Sequence, residues 1–250
     1  MTTLNPYIWA WMLLAILLLP FLVRIKAPYG RHQSRAWGPL MDNRLGWVVM
    51  ELPALLVVPI CFLLGEQNRN IVGYLILALW LLHYGHRTLI FPLRTRTRGK
   101  QIPIAVVAMA IVFNLVNGGF LGLQIGFAEP GYGLEWLSDP RCWMGVGLFL
   151  AGFWINWKSD DRLIHLRKPG ETGYSIPYGG WFRWVSCPNH FGEIIEWVGF
   201  AMLTWSWAGL SFAVWTAANL IPRALDHHRW YQDKFAEYPK NRKAVIPFIL

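Results

Sequence analysis

Five runs of apolar residues, each approaching the ~20 that an α-helix needs to cross a bilayer, recur along this 250-residue chain, at about 7–23, 44–64, 71–91, 102–126 and 142–157. A further long apolar region covers 191–221. A backbone in hydrocarbon must satisfy its own hydrogen bonds, so runs of this length and low polarity can only be helices or pack into a helical bundle. With 55% hydrophobic residues, only 15% charged and 16 tryptophans, a soluble domain is excluded. The expected fold is all-α, a polytopic membrane protein.

The charges between the runs set its orientation. Arg24, Lys26, Arg31 and Arg35 follow the first run, and Arg94, Arg96, Arg98 and Lys100 follow the third. Lys158, Arg162, Arg167, Lys168 and Arg183 follow the fifth, whereas the opposite gaps hold only Arg69 and Arg141. The N-terminus is therefore expected outside and the C-terminus, with six Lys and Arg after Ile221, in the cytoplasm. An even number of crossings must separate Arg183 from Arg223. That requires two short spans, near 191–205 and 208–222, turning at 205–209, and gives seven transmembrane helices. The first run lacks the basic flank of a cleavable secretory signal. No repeat or linker marks a second domain. The net charge of +9 falls between apolar runs with no nucleic-acid-binding motif, so no nucleic-acid partner is expected. Cys61, Cys142 and Cys187 lack metal-ligand spacing, and no metal is expected.

Inside the second run stands one carboxyl, Glu51. Its ionised form in hydrocarbon would cost at least ~2.5–3.5 kcal/mol, so it must be neutral, paired or facing a cavity. A neutral acid can donate a hydrogen bond that a carboxylate cannot. Glu51 is seven residues past Arg44, on the order of 10 Å deep; Tyr84, ten before Arg94 on the returning helix, is at about 15 Å. Helices two and three are joined by a short loop and should pack as antiparallel neighbours, so the acid and the phenol can meet, with Trp47 one turn away on the Glu51 face. Pro53 beside Glu51 frees a backbone carbonyl. The cluster His83-Tyr-Gly-His-Arg87 is too polarisable for a lipid face, and Arg87 should reach an anion or a carboxylate.

A second set of polar residues converges at the cytoplasmic mouth. Asn156 and Asp160, Asn189 and Glu193, and Arg223, His227 and Tyr231 are each spaced four apart, on one helix face. Cations, amide donors and a few carboxylates are what a phosphate- and ribose-bearing ligand requires. No glycine-rich dinucleotide fingerprint or P-loop occurs, so such a ligand must be bound by helices and loops.

The motifs Met50-Glu-Leu-Pro53, His83-Tyr-Gly-His-Arg-Thr88, Leu166-Arg-Lys-Pro-Gly-Glu171, Phe191-Gly-Glu-Ile-Ile-Glu-Trp197 and His228-Arg-Trp-Tyr231, with the tail from Tyr238 to Leu250, occur in this order. In this the chain resembles the steroid 5α-reductase family, over nearly its whole length. The resemblance implies an NADPH-dependent reductase of 3-oxo-Δ4-steroids such as testosterone or progesterone, acting as a monomer in a lipid bilayer. That membrane is the endoplasmic reticulum in a eukaryote or the inner membrane in a bacterium, with the cofactor site facing the cytoplasm. It implies one domain, the substrate pocket mainly in 1–126 and the cofactor part mainly in 150–250. Glu51 and Tyr84 would be catalytic, holding the C3 carbonyl oxygen, and Trp47 would pack on substrate or nicotinamide. Arg87, Asn156, Asp160, Arg167, Tyr174, Asn189, Glu193, Arg223, His227, Tyr231 and Arg242 would line the cofactor site. Departures from the family pattern, Trp215, Asn219 and Asp226 among them, bear on the steroid side chain preferred. Three readings compete: a related sterol reductase, an isoprenylcysteine-type methyltransferase and a transporter. A methyltransferase has no enone to polarise, and no inverted repeat supports a transporter.

Overall fold

The computed structural model describes residues 4–25, 28, 30, 35–97, 99–129, 131–166 and 173–250. Among them are seven long helices. They are α1 (Asn5–Arg24), α2 (Asn43–Leu64), α3 (Ile71–Gly85), α4 (Ile104–Phe127), α5 (Pro140–His165), α6 (Pro188–Thr204) and α7 (Trp207–Lys234). Helices α1, α2 and α4 are each long and apolar enough to cross a membrane. Their outward faces are large apolar side chains such as Leu17, Phe21, Leu56, Ile60 and Val112, all exposed. Such faces have no place in water and suit lipid.

Helices α2 and α4 are launched from a two-stranded antiparallel ribbon, β1 (Leu40–Asp42) against β2 (Gln101–Pro103), with Leu40 opposite Pro103. Asp42 caps α2 by accepting from the amides of Arg44 at 2.9 Å and Leu45 at 3.0 Å. The ribbon starts the two helices side by side, and glycines let them stay close. A Cβ on Gly122 would lie 2.8 Å from Cys61 Sγ, and one on Gly126 would run into the Cys61 carbonyl. The nearest neighbour of α2 is thus α4, not the α3 its short loop implied. Helix α3 still touches α2 through Trp80, whose indole donates to the Ala54 carbonyl at 2.9 Å.

Helices α5 and α6 pack backbone to backbone. Gly145 and Gly152 on α5 are seven apart, as are Gly192 and Gly199 on α6, and the two pairs face each other in antiparallel register. A Cβ on Gly192 would stand 2.5 Å from the Asn156 amide nitrogen, and one on Gly199 would stand 2.5 Å from that of Phe149. Helix α1 lies along α7, where the Trp215 indole donates to the Trp11 carbonyl at 3.0 Å and the Trp11 indole to Asn117 Oδ1 at 3.2 Å.

Two elements differ from the lengths expected. The turn between α6 and α7 shrinks to Trp205, in the left-handed region at φ 41°, and Ser206, whose hydroxyl caps α7 by accepting from the Gly209 amide at 3.1 Å. Helix α7 runs through Pro222 to Lys234, so Arg223, His227 and Tyr231 lie on one continuous helix as their spacing implied. Helix α3 continues through a π-helical turn, His86–Ile90, into a last α-turn, Phe91–Arg94. Such turns concentrate at functional sites.

Leucine in place of Gly192 should force α5 and α6 apart. Overpacking of this kind costs about 1–3 kcal/mol or more, so Gly192→Leu is expected to lower the thermal unfolding midpoint in detergent by several degrees. Gly147→Leu, where an added Cβ meets nothing within 4 Å, should leave it unchanged.

Candidate active site

The helices bring Trp47, Glu51, His83, Tyr84, Arg87, Glu193 and Arg223 to one cavity, walled on its apolar side by Met50, Ile102, Val106, Ala110, Phe113, Phe212 and Leu220. Glu51 and Tyr84 thus share a cavity, as their depths predicted. The walls come from α2, α3, α4, α6 and α7, so the pocket is drawn from both halves of the chain. The Tyr84 ring is fixed from behind by Trp80 at 4.6 Å and Trp197 at 5.9 Å between centroids. Asn219 and Thr216 of α7 line the same space.

Arg87, the first full residue past the start of the π turn, sits over the rings of Trp47 and Phe91, 4.8 Å from each. Its guanidinium lies 3.6 Å from Asp160 and 3.9 Å from Glu193, so it does reach carboxylates. Across α5 and α6 the amides interlock. Asn156 donates to the Asn189 carbonyl at 3.0 Å and to Glu193 at 3.3 Å, and Asn189 donates to Asp160 Oδ1 at 2.9 Å. Asp160 Oδ2 is buried and accepts no hydrogen bond among the described residues.

A second pocket opens beside the first toward the C-terminal half, lined by Tyr174, Ser186, Asn189, His190, His227 and Tyr231. Tyr174 leans edge-on against Trp230 at 5.0 Å. Arg242 stands apart from both pockets. It is buried, donating to the Pro177 carbonyl at 3.2 Å and lying 5.0 Å over the Tyr238 ring, in the packing of the tail. Arg167 lies outside the described residues.

Three polar residues that the sequence reading passed over belong here. His83 Nδ1 is 2.8 Å from Glu196 Oε1, a pair with almost no exposure. Asn114, buried on α4, donates to Glu51 Oε2 at 3.2 Å and to the Met50 carbonyl at 2.6 Å. His190 lies 5.8 Å from the His227 ring. The signal was present for two of them. Asn114 is a lone amide in an apolar helix, the same anomaly as Glu51, and Glu196 follows Glu193 by three residues on the same face.

The tail is tied to α7 by a hydrogen-bond node at Ser186. The single Ser186 hydroxyl proton goes to the Lys243 carbonyl at 3.1 Å. Its oxygen must therefore accept from both His228 Nδ1 and the Tyr238 hydroxyl, each at 2.6 Å. Burial, with Arg242 and Lys243 nearby, holds the His228 imidazole below its ordinary value of 6.5.

Comparison with known proteins accords with this arrangement. A family described as "3-oxo-5-alpha-steroid 4-dehydrogenase" matches residues 100–250. The chain is 44% identical over 231 residues to "Steroid 5-alpha-reductase DET2" of Arabidopsis thaliana, covering 90% of this chain and 88% of that one. It is 46% identical over 224 residues to "3-oxo-5-alpha-steroid 4-dehydrogenase 1" of Macaca fascicularis (88% and 84%), and 44% to the Homo sapiens protein of that name (88% and 85%). A family match over more than half the chain, with relatives this similar along their length, leaves one conclusion. The chain belongs to the 3-oxo-5-alpha-steroid 4-dehydrogenase family and is an oxidoreductase.

Because His228 is held neutral in the fold, the unfolded chain binds its proton more readily. The stability this confers is complete above pH 6.5 and is lost as pH falls from there through the depressed folded value. Thermal midpoints taken between about pH 7 and 5 should fall, and His228→Gln should flatten part of that slope.

Proposed function

We propose that this protein reduces the Δ4 double bond of 3-oxo-Δ4-steroids, testosterone and progesterone among the candidates, with NADPH as reductant. The observation that carries this reading is the pairing of Glu51 and Tyr84 on different helices around one cavity, next to the polar cluster of Arg87, Asp160 and Glu193. Addition of hydride to the β-carbon of an enone builds negative charge on the distant carbonyl oxygen. Two donors aimed at that oxygen stabilise the transition state more than the ground state. Glu51 acts as a protonated acid and Tyr84 as a phenol, both in surroundings that exclude water. Trp47 and the apolar side chains of α4 and α7 pack the steroid rings.

The residues around Arg87 suit a dinucleotide. Cations for phosphate, amides for the carboxamide and ribose, and a buried Asp160 oxygen whose Arg87 partner stands back at 3.6 Å match its chemistry. Asn156, Asp160, Asn189, Glu193, Arg223, His227 and Tyr231 would hold it, with Tyr174 at the far end and Arg87 at the junction. When bound, the cofactor supplies hydride to C5. Arg242 acts by packing the tail behind this site, and Arg167 belongs with the same set by resemblance.

The apolar outer faces and the charge asymmetry support seven membrane-spanning helices, N-terminus outside, with the cofactor pocket on the cytoplasmic side. The chain works as a monomer in the endoplasmic reticulum or the bacterial inner membrane. Purified protein should oxidise NADPH when given testosterone or progesterone. Tyr84→Phe and Glu51→Gln should each lower kcat by about 10²–10³-fold. Variants that turn over at the wild-type rate would show that other groups polarise the ketone.

A further inference from the structure

Asn114 has an unambiguous orientation. Its side-chain nitrogen stands 2.6 Å from the Met50 carbonyl oxygen, which can only accept. Turning the amide over would set oxygen against oxygen, so the nitrogen must face Met50, and its two protons are both committed. One goes to Met50 and the other to Glu51 Oε2 at 3.2 Å. The whole amide is buried on α4, in the helix pair that Gly122 and Gly126 bring together, so it cannot swing away.

This orientation has a consequence for the acid. In a neutral carboxyl group one oxygen is a carbonyl that accepts and the other a hydroxyl that donates. The carbonyl oxygen is the stronger acceptor of the two, so it is the one that receives the Asn114 N–H. The hydroxyl must be the other oxygen of Glu51, a residue that lines the cavity. A ketone oxygen also only accepts, so it needs that hydroxyl. We infer that Asn114 is a positioning residue that fixes the Glu51 carboxyl with its proton on Oε1, presenting the O–H to the carbonyl of the substrate. This rests on the proposed enone reduction for its purpose but not for its geometry. Without Asn114 the carboxyl can rotate and place either oxygen toward the cavity, so only part of the population is aligned for attack. Misalignment of this kind costs rate more than binding.

Infrared difference spectroscopy tests the placement without turnover. The carboxylic acid C=O band of Glu51, identified by its loss in Glu51→Gln, should appear at neutral pH in the wild type. It should move to higher wavenumber in Asn114→Leu, because the hydrogen bond to that oxygen is gone. Asn114→Leu should also lower kcat with steroid and NADPH by about ten- to a hundredfold, while KM for the steroid changes little. Should the leucine variant not fold, Asn114→Ser, too short to reach Glu51, gives the same readings. Absence of the acid band in the wild type, or a band that stays in place in the folded variant, overturns the inference. A shifted band in a protein that never reduces steroid would leave Asn114 in this role and instead remove the proposed reaction.

Discussion

Arg87 is the joint on which the polar interior depends. One guanidinium, carried on the π turn that follows α3, stacks over Trp47 of α2 and Phe91 and lies within 4 Å of carboxylates on α5 and α6. Those carboxylates could not be buried without it, because an unpaired charge in a medium that excludes water is far costlier than a paired one. The amide ladder of Asn156 and Asn189 then gives one further donor each to Asp160 Oδ1 and Glu193. Asp160 Oδ2 has the Arg87 guanidinium 3.6 Å away, beyond hydrogen-bond distance.

Close backbone contact makes this joint rigid. The glycines at 145 and 152 meet those at 192 and 199, and with no Cβ between them α5 and α6 hold Asn156 against Asn189 at hydrogen-bond distance. In lipid there is no hydrophobic gain from bringing helices together, so small residues and interhelical hydrogen bonds do that work. The same device appears where Gly118, Gly122 and Gly126 of α4 meet α2, the helix that carries Glu51. Glu51 and its amide partner Asn114 are thus mounted on one tight pair of helices, and the polar cluster on another.

Much of this was legible in the sequence. Apolar run length gave the helices, and one carboxyl in such a run with a phenol at similar depth gave the cavity. Four-residue spacings gave the faces of Asn156 with Asp160 and of Asn189 with Glu193. What escaped has a physical reason in each case. Loop length implied α2 beside α3, whereas the spacing of Gly118, Gly122 and Gly126 decides in favour of α4. A π turn at His86–Ile90 leaves no mark in periodicity, since it shifts a single turn. Arg242 was grouped with the pocket by resemblance, yet its guanidinium packs away from both pockets, with one nitrogen on the Pro177 carbonyl and the group over two tyrosine rings.

Charge balance ties the acid to the rest of the site. Buried around Arg87 are four carboxyl groups, Glu51, Asp160, Glu193 and Glu196, against the cations Arg87 and Arg223 and the imidazole of His83 on Glu196. Were all four ionised, negative charge would be in excess even with His83 protonated, and a dinucleotide would add more. The group that can be neutral at least cost is the one farthest from a paired cation, with a neutral amide for its partner. That is Glu51, held by Asn114. On the proposed reading, the carboxylates nearer Arg87 stay charged because Glu51 does not, and the same neutrality would leave it a proton to offer a ketone.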